Sequence, residues 1–250
     1  MRIALLFSLI LVLSACAHSP SKDTEVPMEQ VEIRLDLAER YLWDDEPRMA
    51  LEQLRIIEGA ATDNQRLHFV FGLAYTVLDD LPKAAASYRQ SLEINPSSGE
   101  AWNNLGQVRQ AMGQFEEAKQ AYEMALQQGD YMTPEFAAFN LASLYAAQGQ
   151  WDQALDWSST GIEKNRRYIP LYEQSAEFFR TTERYQEAAK ILEAGVEARP
   201  DNIRLKLMLA EELLSIGREQ DAKKWFNRII QRDPQSEEGR TAQHYLEILR

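Results

Sequence analysis

Six alanines occupy one register of this sequence. Ala50, Ala84 and Ala118 stand 34 residues apart, and after an offset of two residues Ala154, Ala188 and Ala222 resume the same step. Twelve residues before each alanine a second register holds only small residues: Ala38, Gly72, Gly106, Ala142, Ala176 and Ala210. The position just before it reads Leu37, Phe71, Leu105, Leu141, Ser175 and Leu209, bulky in every unit but one. Pro96, Pro200 and Pro234 recur near the ends of units, where proline stops one helix before the next begins. Small residues at fixed spacing let two antiparallel helices approach closely while bulky neighbours fill the space around them. One such unit cannot bury its apolar face alone, so units at this period must stack.

Residues 99–132 carry the fullest copy, GEAWNNLGQVRQAMGQFEEAKQAYEMALQQGDYM. Trp102, Leu105 and Gly106, then Gly113, Phe115, Ala118, Tyr122 and Ala125, resemble the tetratricopeptide repeat (TPR) signature W-x₂-L-G followed by A-x₃-F/Y. Gly113 falls where the first helix must stop and the chain turn back, a place that favours positive φ. The resemblance covers repeats 31–64, 65–98, 99–132, 135–168, 169–202 and 203–236. It implies an all-α, right-handed superhelical solenoid of six TPR helix-turn-helix repeats. Residues 237–250, with Ala242, Tyr245, Leu246 and Leu249 at helical spacing, are expected to form a C-terminal capping helix. Asp45 stands where a turn glycine would be comfortable in the first repeat. At the irregular junction, Thr133 and Pro134 read as an N-cap and first-turn pair, with Glu135 favourably placed by the helix dipole.

The chain opens MRIALLFSLILVLSAC. Arg2 followed by the apolar run Ile3 to Leu13 is too short to span a membrane as a helix but suits a secretory signal over residues 1–15. Leu13-Ser14-Ala15-Cys16 resembles the lipobox of bacterial lipoproteins, which implies cleavage before Cys16 and acylation of its thiol. An ordinary secretory signal beside an incidental cysteine is the plainer alternative. Cys16 is the only cysteine in the chain, so no internal disulfide exists. Several acyl chains on one residue would anchor the protein stably, where a single chain binds marginally. Ala17 follows the cysteine, where bacterial lipoproteins retained at the inner membrane often carry Asp, so the resemblance implies the outer membrane, with the domain facing the periplasm. Residues 16–30 read as the lipidated cysteine and a polar tether; its reach is about 20 Å.

A formal net charge of −12, from 27 basic and 39 acidic residues, argues against nucleic acid, whose phosphates require a basic footprint. It also disfavours a domain lying flat on anionic lipid, and it reads first as plain solubility, with a basic partner as the weaker alternative. No chemistry emerges from the motifs. His18, His68 and His244 are scattered, without metal-ligand spacing, and there is no phosphate loop or nucleophile elbow. The expectation is a non-enzymatic protein with no cofactor, no metal and no small-molecule substrate.

What remains is binding through the inner surface that first helices build in TPR proteins. Its inward positions hold Leu35, Glu39, Leu42 and Trp43 in the first repeat, and Arg66, Phe69, Val70, Leu73 and Val77 in the second. The third turns polar with Asn103, Asn104, Gln107 and Gln110; the fourth returns Phe136, Phe139 and Asn140. The basic residues that TPR co-chaperones use to clamp a terminal carboxylate are not matched. The expected site is an apolar trough in repeats one and two that accepts an amphipathic or extended segment of a partner. The same side chains would equally suit burial under neighbouring helices. A signal lipoprotein with six TPRs and little else resembles the pilotins of type IV pilus biogenesis (the PilF/PilW group). The resemblance implies a secretin subunit as partner and outer-membrane assembly as the task. The alternative is a lipoprotein adaptor that scaffolds cell-wall enzymes in the periplasm.

Overall fold

The computed structural model describes residues 27–249. These form thirteen α-helices and no strand. The first helices of successive units are α1 (Met28–Trp43), α3 (Gln65–Val77), α5 (Gly99–Ala111), α7 (Pro134–Ala147), α9 (Ile169–Thr181) and α11 (Ile203–Ser215). Each is answered by a second helix: α2 (Pro47–Ile57), α4 (Leu81–Ile94), α6 (Phe115–Gln127), α8 (Trp151–Lys164), α10 (Tyr185–Ala198) and α12 (Glu219–Arg232). A last helix, α13 (Glu237–Ile248), closes the array. Every helix packs chiefly on its neighbours in sequence, and α1 also meets α3, as α5 meets α7 and α7 meets α9. This is the nearest-neighbour construction of a solenoid.

The turn inside each unit has one geometry. Asp45, Asp79, Gly113, Gly149, Glu183 and Gly217 all take positive φ, between 58° and 76°. The next amide reaches back five residues to a carbonyl of the first helix: Glu46 to Tyr41, Asp80 to Tyr75, Gln114 to Arg109, Gln150 to Tyr145, Arg184 to Phe179 and Arg218 to Leu213, at 2.7–3.0 Å. A left-handed residue followed by such a bond satisfies carbonyls that the helix end leaves unpaired. Three of the six turns use a glycine, two an aspartate, and Glu183 carries the side chain least suited to that conformation. Glu183→Gly is therefore expected to stabilise the protein by about 0.5–1 kcal/mol, because the relieved strain exceeds the added freedom of the unfolded chain. A rise in the urea midpoint would register this; an unchanged or lower midpoint would refute it.

Within units, the two small-residue registers are the contact points. All six alanines of the first register are fully buried. In the second, a Cβ on Gly72 would lie 2.5 Å from the Tyr88 ring, and one on Gly106 would lie 2.6 Å from the Tyr122 ring. Where that register is alanine, the residue sixteen positions later is Leu54, Ser158, Leu192 or Phe226, never tyrosine. The two tyrosines are pinned at their far ends as well. Tyr88 shares a 3.2 Å hydrogen bond with Thr76, and Tyr122 donates to Gln110 at 2.9 Å. Burial pushes the Tyr88 phenol up to about 12, with the Thr76 contact opposing.

At the irregular junction, Tyr131 is buried over Gly99, where a Cβ would come within 2.5 Å of it. Thr133 stands at the N-cap of α7, but its side chain makes no capping bond, contrary to the sequence expectation. Pro134 opens the helix as expected. Glu135 is buried rather than displayed to the helix terminus alone, and it accepts a 2.7 Å hydrogen bond from Asn165 Nδ2 of the following turn. At the far end, Tyr245 of α13 stacks on Phe226 at 4.9 Å and 11°, and Ala242 is fully buried.

Candidate protein-binding groove

The inward residues do not form one apolar trough. Leu35 and Val70 are completely buried, and the reading of them as groove lining is corrected: they belong to the core shared by α1, α2 and α3. They stand at different registers of their repeats, and both turn into the core between α1, α2 and α3, so packing takes them before a ligand could. Leu42, Phe69 and Leu73 are half-buried. Leu42 packs on that same core, Leu73 on the next one, and Phe69 on both, with its ring 5.8 Å from Tyr88. Only Trp43, 87% exposed, and Val77 remain open on this stretch. Farther along, Phe136 is exposed at its rim while Phe139 is half-buried. Both set their edges against Tyr168, at 5.1 and 6.1 Å.

Between these islands the surface is polar and bonded across repeats. Arg66 donates through Nε and Nη2 to Glu39, through Nη1 to Glu32 and through Nη2 to Asp36, at 2.6–2.9 Å. These carboxylates hold its guanidinium well above the usual arginine range. Glu39, expected as groove lining, thus spends its carboxylate on Arg66. Asn140 donates to Asn103 at 3.0 Å, linking α7 to α5. Gln174 of α9 donates to Ser143 Oγ and to the Phe139 carbonyl, and accepts from Ser158. Arg180 meets Glu177 and the buried Glu212, and Arg204 meets Glu173. Each of the three inward arginines is therefore paired with acid from the same chain.

Sequence reasoning missed these networks, although one signal was present. Glu32, Asp36 and Glu39 fall on one face of α1, and Arg66 stands one period after Glu32. The amide ladder also left a signal, since Asn140 and Gln174 share one register 34 residues apart and Asn104 holds the same register one unit earlier, although the bonded partner Asn103 stands one position before it. Chemically, half-buried amides beside isolated apolar anchors suit an extended backbone with a few apolar side chains. Among the described residues, no group of three or more His, Cys, Asp and Glu is placed to hold a metal ion. No helix among them is long and apolar enough to cross a membrane. Cys16 lies outside the described residues, so lipidation stays an expectation from the sequence.

Two tetratricopeptide-repeat profiles match residues 97–167 and 181–243, and a TPR-repeat profile matches 72–113. The TPR repeat-containing protein PA0015 of Pseudomonas aeruginosa is 33% identical over 78 residues, which are 31% of this chain and 74% of that protein. The chain belongs to the tetratricopeptide repeat family. A BBSome complex member of Drosophila melanogaster is 25% identical over 166 residues, and there this TPR chain spans 34% of the relative's length. Among solved structures, PilW, described as a widely conserved type IV pilus biogenesis factor, superposes with a TM-score of 0.64 at 22% identity. The match covers 86% of this chain and 99% of PilW. PilF of Pseudomonas aeruginosa gives a TM-score of 0.67 at 18% identity, over 87% of this chain and 98% of PilF. At these identities the likeness is one of fold, and it extends along the whole TPR array.

Proposed function

We propose that this TPR protein is a lipid-anchored scaffold of type IV pilus biogenesis, which holds secretin subunits and helps them assemble at the outer membrane. The observation that carries the reading is the length of the structural likeness: the superposition takes in 98–99% of PilF and PilW and 86–87% of this chain. The lipobox-like run ending at Cys16 supplies the address, and the inner surface of the repeats supplies the grip.

Deleting the protein from its host should remove heat-resistant secretin multimers from the outer membrane while secretin monomers persist. Unchanged multimers would end the pilus reading. If the chemically crosslinked partner proves to be a peptidoglycan enzyme, the adaptor reading takes its place. The anchor is tested separately by Cys16→Ser, which should leave helicity intact and move the protein from the membrane pellet to the soluble fraction. Recovery of that variant in outer-membrane pellets would refute the lipid anchor without touching the secretin reading.

A further inference from the structure

The first repeat has an open end. In every later repeat the third position is completely buried against the unit before it: Leu67, Ala101, Ala137, Leu171 and Leu205. In the first repeat the same position is Ile33, 58% exposed. The seventh position behaves alike, buried at Phe71, Leu105, Leu141, Ser175 and Leu209 but exposed at Leu37. Across the seam, α2 adds the exposed Met49 and Ile56 around Gln53, which accepts a hydrogen bond from Arg34 of α1. The result is an apolar edge continuous in register with five interfaces already formed inside the molecule. At each of those interfaces the covering element is the second helix of the preceding repeat; Leu192 and Val196 of α10, for example, share a core with Leu205 and Leu209.

We propose that this edge binds an amphipathic α-helix of a partner protein, seated where the second helix of a preceding repeat would lie. The occupant presents apolar residues at intervals of three and four, as α10 does with Ala188, Ala189, Leu192 and Val196. The trailing end of a second copy does not offer that surface. That end is sealed by α13, which shows Arg240, Gln243, His244 and Glu247 outward, with Ile248 the one apolar exception among them. The preceding residues 17–26, AHSPSKDTEV, carry a single aliphatic side chain larger than alanine and have no stripe to supply. The proposal concerns the end of the array, not its inner surface, and does not depend on the partner being a secretin.

The probe is a hydrocarbon-stapled peptide of the α10 sequence, residues 185–199, titrated into the full chain in detergent and read by fluorescence anisotropy. Stapling supplies the helicity that so short a peptide lacks alone. Saturable binding is expected, weakened about tenfold or more, equivalent to ~1.4 kcal/mol, by Ile33→Glu with Leu37→Glu. Phe115→Glu, at an exposed position elsewhere, should leave it unchanged. Both substituted side chains of the double variant are solvent-facing, so its circular dichroism should match the parent. Failure of the peptide to bind, or equal binding to the double variant, would overturn the proposal. So would sedimentation of the parent as a dimer that the double variant dissociates, since the edge would then belong to a second copy.

Discussion

Replacing Gly106 by alanine should lower stability by about 2–3 kcal/mol, and adding Tyr122→Leu should return most of the loss. A methyl group at residue 106 would lie 2.6 Å from the Tyr122 ring. That ring cannot withdraw cheaply: it is almost wholly buried, and its hydroxyl donates to Gln110. The array itself suggests the rescue, because Ala38 is matched with Leu54 and Ala176 with Leu192 at the same two registers. Tyr122→Leu alone leaves a cavity and should cost about 2–4 kcal/mol. The double variant should therefore be far more stable than the sum of the single changes, the signature of residues in direct contact. Urea unfolding of the four proteins measures this coupling. Simple additivity would mean that the glycine register is not what admits the aromatic ring.

The second large effect concerns Phe69 and Leu73. As lining of an open trough, both would tolerate glutamate with loss of binding alone. The structure assigns a different outcome: Phe69→Glu with Leu73→Glu should unfold the first two repeats. Phe69 joins two cores, and Leu73 packs on the second of them. Losing that packing while placing two carboxylates in the seam costs about 5 kcal/mol or more. Circular dichroism should show roughly a third of the helix signal lost well before the remaining repeats melt, as expected for stacked units. By contrast, Trp43→Glu with Val77→Glu should change stability by about 0.5 kcal/mol or less, because both side chains face solvent. That pair is the appropriate probe of the groove. Intact helicity in the Phe69 and Leu73 double variant would return these residues to the surface.

The fold could be read from the sequence because its period repeats physical requirements that tolerate few residues. Gly106 and Ala118 are small for steric reasons that operate identically in each unit, and Gly113 takes the expected positive φ. Substitutes at the turn register were less legible: Asp79 and Glu183 adopt the same left-handed geometry without advertising it. The groove was legible only in part. Leu35 and Trp43 were both read as inward, yet one is wholly buried and the other 87% exposed. Adjacent positions on a helix face differ by less than the width of a neighbouring helix, and apolar character does not say which neighbour claims them. Ile33 posed the opposite problem. It has the residue type of a buried register, and only the lack of a covering repeat makes it an exposed edge.

Arg66 gives the joint between the first two repeats an unusual mechanical character. A stacked array loaded from one end yields unit by unit, so tension entering through Pro27 is borne first between α1 and α3. The guanidinium crosses this gap, and its three carboxylate partners are spaced along α1 over about 10 Å of helix axis. When α1 slides by one turn, about 5.4 Å, the arginine loses one carboxylate as it approaches another. Such a joint is expected to exchange partners under load, where a single ion pair would part in one step. If the expected lipid anchor at Cys16 holds, the first repeat would stand as a damper between the anchor and the repeats beyond it.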